Sequence, residues 1–146
     1  MLCVGILMKK RLLSLGLNSN NSIVIGSGIL NVLGIRKSND IDIVVDENIF
    51  TQLKNISGFK YSEHMNGKIC KLSNSRIEIV SGWEVLGKFH RFKDFQDKSI
   101  IIDGVRYITL DFFYKAKKSW LKEKAQRPKD VEDLKLIEEY KKTHVT

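Results

Sequence analysis

The stretch DIDIVV, residues 40–45, alternates charged with apolar side chains, which reads as a strand with one polar and one apolar face. Side chains two apart on a strand project from the same face, roughly 6 to 7 Å apart along the backbone. Asp40 and Asp42 therefore stand together, with Ile41, Ile43 and Val45 facing the other way. Two carboxylates this close repel one another unless something neutralises them. A hard divalent cation is the usual remedy, and magnesium suits one or two carboxylates plus substrate phosphates. A bare D-x-D is more often two acids facing water at a sheet edge, so its neighbours have to decide.

Upstream, SIVIG (residues 22–26) is a β-branched run that reads as a buried strand, and residues 27–33 form a brief helix closed by Gly34. Between them lies Gly26-Ser27-Gly28. A turn of this kind lets backbone N–H groups and a hydroxyl approach a phosphate. Twelve residues separate Ser27 from Asp40, enough for a short helix and a return strand. A phosphate cradle and an acidic pair can then face one cleft.

Downstream, residues 47–56 read as a helix with Ile49, Phe50 and Leu53 inward, followed by strands at 60–63, 68–72 and 76–80. In RIEIV, Ile77 and Ile79 face the core, so Arg76, Glu78 and Val80 share the opposite face. If this strand lies beside DIDIVV, Glu78 is a third carboxylate, and three acids suit a two-metal site. Glu78 can also serve as general base. The alternative is an exposed glutamate paired with Arg76 or a lysine.

Strands at 99–102 and 105–108 are joined by the hairpin signal Asp103-Gly104. Thr109 can cap a helix over residues 110–125, and Arg127-Pro128 breaks it before a last helix. In that helix Val131, Leu134, Ile137 and Tyr140 form a core stripe. Residues 10–17 read as an N-terminal helix ending near Gly16 and the NSNN turn. The expected fold class is α+β: a mixed β-sheet with flanking helices and two C-terminal helices. One domain over residues 1–146 is expected, with its core in 22–108 and a helical part in 109–143. Lys117 and Arg127 can reach phosphates from the C-terminal helices, although lysine-rich helices are commonly solvated faces. Asp130 and Asp133, one turn apart, read as structural support that orients Lys117 or Arg127 by salt bridges.

Gly26-Ser27, then Arg36-x-Ser38-x-Asp40-x-Asp42, then Ile77-Glu78-Ile79, resembles the polymerase-β-like nucleotidyltransferase superfamily. The C-terminal R-P-K-D-V-E-D-L, from Arg127 to Leu134, together with Lys117, is similar to the small bacterial members: minimal, antibiotic and AbiEii-type nucleotidyltransferases. The resemblance spans roughly residues 22–140 and implies a nucleotidyltransferase fold. It implies that Asp40, Asp42 and Glu78 hold two Mg²⁺ ions. It also implies that Gly26 and Ser27 bind the triphosphate and that Lys117 contacts the nucleotide. Glu78 departs from the family's aspartate, and the large acceptor domain of many relatives is missing.

The 146 residues carry a net charge of +8 and a pI near 9.5, a balance that favours polyanionic partners. Residues 115–129 hold seven Lys or Arg and one acid, a local +6. Cys3 and Cys70 offer no CxxC and no zinc spacing, which fits a reducing cytoplasm. The apolar octet MLCVGILM precedes its basic KKR, the reverse of a signal peptide, and is too short to span a bilayer; Met8 is an alternative start. The expected activity is transfer of a nucleoside monophosphate from an NTP to an acceptor hydroxyl, with release of pyrophosphate. A small molecule, a tRNA or a protein is the acceptor, and Trp83, Phe89, His90, Arg91 and Phe92 are offered as its pocket. A homodimer or a partner protein is the further expectation, completing so small a site. The competing expectation is an inactive module of the same fold that binds nucleotide, RNA or a partner protein.

Overall fold

The computed structural model describes residues 4–56, 58–123 and 127–144. Among the described residues, nine strands and five α-helices follow one another in the order α1 (Val4–Ser14), β1 (Ser22–Ile25), α2 (Gly28–Val32), β2 (Ile41–Val45), α3 (Glu47–Leu53), β3 (Lys60–His64), β4 (Ile69–Ser73), β5 (Ile77–Val80), β6 (Trp83–Val85), β7 (Lys88–His90), a 3-10 segment (Phe92–Lys98), β8 (Ser99–Ile102), β9 (Val105–Ile108), α4 (Leu110–Glu123) and α5 (Pro128–Thr143). Seven strands form one sheet in the order β3-β4-β5-β2-β1-β9-β8, and β6 and β7 form a separate hairpin. The sheet is mixed: β2 runs antiparallel to β1 and parallel to β5, and β1 is parallel to β9. This is the α+β arrangement expected, with two helices at the C-terminal end. The expected helix over 110–125 is described as far as Glu123; its last two residues lie outside those described, as does Cys3.

The alternation of DIDIVV stops at Asp42. Ile41, Ile43, Val44 and Val45 are all buried, because β2 is an inner strand covered on both faces. Only Asp42 keeps partial contact with solvent within the strand. The row Ile25, Asp42, Glu78 crosses β1, β2 and β5 in direct register on one face. The opposite face carries Val24 and Tyr107, against which Gly28 of α2 packs so closely that a Cβ there would overlap Val24.

The N-terminal helix begins earlier than residue 10. Met8 and Leu12, one turn apart, both lie in the core, so the apolar stripe continues back into the octet and carries the helix with it. Gly5 packs against the Asp103 side chain at the β8–β9 turn, where a Cβ would overlap the carboxylate. That turn has Asp103 and Gly104 both at positive φ, as the Asp-Gly signal requires. Among the described residues no helix is long and apolar enough to cross a membrane.

Candidate active site

Parallel pairing sets Asp42 directly beside Glu78. Asp40, exposed just before β2, adds a third negative charge. Burial pushes the Asp42 carboxyl up, and repulsion from Glu78, a hydrogen bond to Glu78 and repulsion from Asp40 push it further, to about 6 from 3.8. Among the described residues the cation that opposes this shift is Lys71 of β4, whose Nζ lies 3.6 Å from Glu78 Oε1. The sequence alternative of a lysine partner for Glu78 is thus partly realised, through a weak contact between solvent-touching groups. Asp42, Glu78 and Lys71 line an open cleft of about 240 Å³ together with Ile25, His64 and Trp83.

Gly26 and Ser27 join this site from the end of β1. Gly26 has φ +64, a conformation that suits glycine, and a Cβ on it would stand 2.9 Å from Asp42 Oδ2. The turn and the acid are therefore immediate neighbours. Ser27 Oγ hydrogen-bonds Ser38 Oγ at 2.5 Å, and Asn31 Nδ2 donates to Ser38 O at 3.3 Å. These bonds tie the turn to the loop that delivers Asp40.

Lys117 and Arg127 sit elsewhere. Lys117 is 4% exposed, with its ammonium 2.6 Å from Asp130 Oδ1 and 3.0 Å from Asp133 Oδ2. Arg127 Nε holds the other oxygen of Asp130 at 2.9 Å, and Arg36 grips Asp133 through two bonds of 2.6 and 2.9 Å. Burial pushes the Asp130 and Asp133 carboxyls up, but these hydrogen bonds outweigh it and hold both below the usual range. Neither Lys117 nor Arg127 lines the acid cleft. The ammonium expected to touch a nucleotide is enclosed in a five-residue ion network that fastens α5 to the loop before β2. The expected support role of Asp130 and Asp133 matches this network. Arg36 is the member that sequence reasoning left without a role; its place in R-x-S-x-D-x-D was the available signal.

A second pocket of about 260 Å³, lined by Trp83, Glu84, Trp120, Arg127 and Asp130, adjoins the cleft through Trp83. Of the five residues expected to line an acceptor pocket, Trp83 lines both of these, whereas Arg91 and Phe92 line a separate one of about 190 Å³ with Asp46, Glu47, Asn48 and Lys93. His90 is buried and stacks on Phe95 at 5.2 Å, and Phe92 is core. Phe89 covers Gly82, and Arg91 lies over the Phe89 ring and pairs with Glu47 at 3.1 Å. The hairpin β6–β7 turns this segment inward, which its sequence did not announce.

The donor set is all-oxygen and short of cations, the chemistry that a magnesium ion with phosphate ligands satisfies. Among the described residues no three His, Cys, Asp or Glu side chains converge closely enough to hold an ion unaided. The acids that would hold it are Asp42 and Glu78, with Asp40 at the open edge. Comparison with known proteins gave no match to a family model, a curated protein or a solved structure.

Proposed function

We propose that the chain is a nucleotidyltransferase of the polymerase-β-like kind, with the corresponding fold, using Mg²⁺ and an NTP. The observation that carries this reading is the side-by-side placement of Asp42 and Glu78 on β2 and β5, with the Gly26-Ser27 turn against Asp42. A bound metal would neutralise charge on the triphosphate and at the attacking oxygen. The chain's own part is positioning. Gly26 leaves room beside Asp42 for a phosphate, and Ser27 Oγ offers a hydroxyl there. Glu78 accepts the proton as the acceptor oxygen bonds to the α-phosphorus and the bond to pyrophosphate breaks. Lys117 acts at a distance, as a positioning residue that holds Asp133 and thereby Arg36 and the Asp40 loop, while Arg127 braces Asp130 beside it.

The test is incubation of the purified protein with radiolabelled NTPs, Mg²⁺ and a fractionated cell extract. Transfer of label that disappears with Asp42→Ala supports the reading; no transfer under any condition sinks it. The Lys71–Glu78 contact favours a second reading, a module of this fold that binds nucleotide or RNA without reaction, since it engages the carboxylate that would accept the proton. Calorimetry separates the two. An enzyme binds NTP only with Mg²⁺, whereas an RNA-binding module binds without metal and with strong salt dependence.

A further inference from the structure

A pocket of about 220 Å³ opens between α1, α2 and the starts of β2 and β5, lined by Leu7, Met8, Arg11, Asn31, Ser38, Asn39, Ile41 and Arg76. Ile41 faces away from Asp42, so this pocket lies on the other side of β2 from the acid cleft. Its charge is one-sided. Arg11 and Arg76 both reach it, no carboxylate lines it, and among the described residues neither guanidinium has an ion-pair partner. This contrasts with Arg36, Arg91 and Arg127, each of which holds an acid. The Asn39 amide and the second N–H of the Asn31 amide, whose other bond goes to Ser38 O at 3.3 Å, are further donors.

Two guanidiniums and two amides offer more donors than the two oxygens of a carboxylate can accept. A phosphate takes them from several directions, and arginine pairs with it in bidentate fashion. Met8 and Ile41, both buried, and Leu7 give the pocket an apolar floor, where the carbon body of an ester would lie. We propose that this pocket binds a phosphate ester, its phosphate held by Arg11, Arg76 and Asn39 and its body resting on Leu7, Met8 and Ile41. The site does not depend on the nucleotidyltransferase reading. The ester is either a small phosphorylated molecule or the terminal phosphate of an RNA strand.

Calorimetry in EDTA at fixed ionic strength tests it with three probes: inorganic phosphate, phenyl phosphate, and an RNA pentamer with or without a 5′-phosphate. The account expects phenyl phosphate or the phosphorylated pentamer to bind, more tightly than inorganic phosphate. Binding falls at least about tenfold in the Arg11→Gln, Arg76→Gln double variant and is unchanged in Asp42→Asn. Both arginines are exposed, so circular dichroism of the double variant should match wild type. A pentamer that binds only when phosphorylated, with phenyl phosphate inert, assigns the strand end; the reverse assigns a small ester. No binding by any probe, equal binding by wild type and the double variant, or loss in Asp42→Asn overturns the proposal.

Discussion

Replacing Asp42 by Asn should make the metal-free protein more stable while removing a ligand of the proposed metal site. In the folded chain the Asp42 carboxyl is raised to about 6 by burial and by Glu78 and Asp40, against 3.8 in the unfolded chain. The folded state thus holds this proton more tightly. Below about pH 4 the group is protonated in both states and costs nothing. Between about 4 and 6 the unfolded state loses the proton first, and native stability falls as pH rises. Above 6 the full penalty is present. The displacement corresponds to at most about 3 kcal/mol, and screening by the solvent that Asp42 still touches reduces it to about 1–2 kcal/mol. For a chain of this length that is a rise in Tm of roughly 3–8 °C in Asp42→Asn at pH 8, vanishing near pH 4. Differential scanning calorimetry in EDTA across pH 4 to 8 reads it directly. A variant less stable than wild type at pH 8, or a difference independent of pH, refutes the crowded-carboxylate account.

The ion network gives a contrasting outcome. Lys117→Ala should cost about 3–5 kcal/mol in urea unfolding, because it strips the ammonium from two buried carboxylates. Arg127→Ala removes a largely exposed partner of Asp130 and should cost under about 1 kcal/mol in the same assay. Gly26→Ala places a β-carbon at φ +64 and 2.9 Å from Asp42 Oδ2. It should lose about 1–2 kcal/mol by thermal melt and weaken nucleotide binding by calorimetry together. Glu78→Gln removes the strongest charge acting on Asp42, so the fall in stability between pH 4 and 8 should flatten in the same calorimetric scan.

How far the residues disclosed this arrangement differs by element. DIDIVV and RIEIV showed their acidic positions because alternation within a strand is local, and adjacency of the two strands then placed Asp42 opposite Glu78. The Asp103-Gly104 hairpin was equally legible, since those residue types tolerate positive φ. The β6–β7 hairpin was not. Its strands are three residues each, and its turn places Leu86 at φ 55 before Gly87, where no common turn signal stands. Its inward course buries His90 and Phe92, which sequence alone offered to a ligand. Lys117 was misplaced for a different reason. Its helix is lysine-rich, and only the return of α5 and the reach of Arg36 across 97 residues enclose that one ammonium. No local pattern encodes such a pairing.

In the proposed function Asp42 and Glu78, with Asp40, hold a divalent cation for a nucleotide. Electron paramagnetic resonance of Mn²⁺ titrated into the protein with a non-hydrolysable NTP measures that occupancy without requiring an acceptor. Bound Mn²⁺ is expected on wild type, displaced by excess Mg²⁺, and its loss is expected in Asp42→Asn once the calorimetric scan has checked that variant's fold. Mn²⁺ bound equally by wild type and Asp42→Asn, or by neither beyond what the nucleotide alone binds, would contradict it.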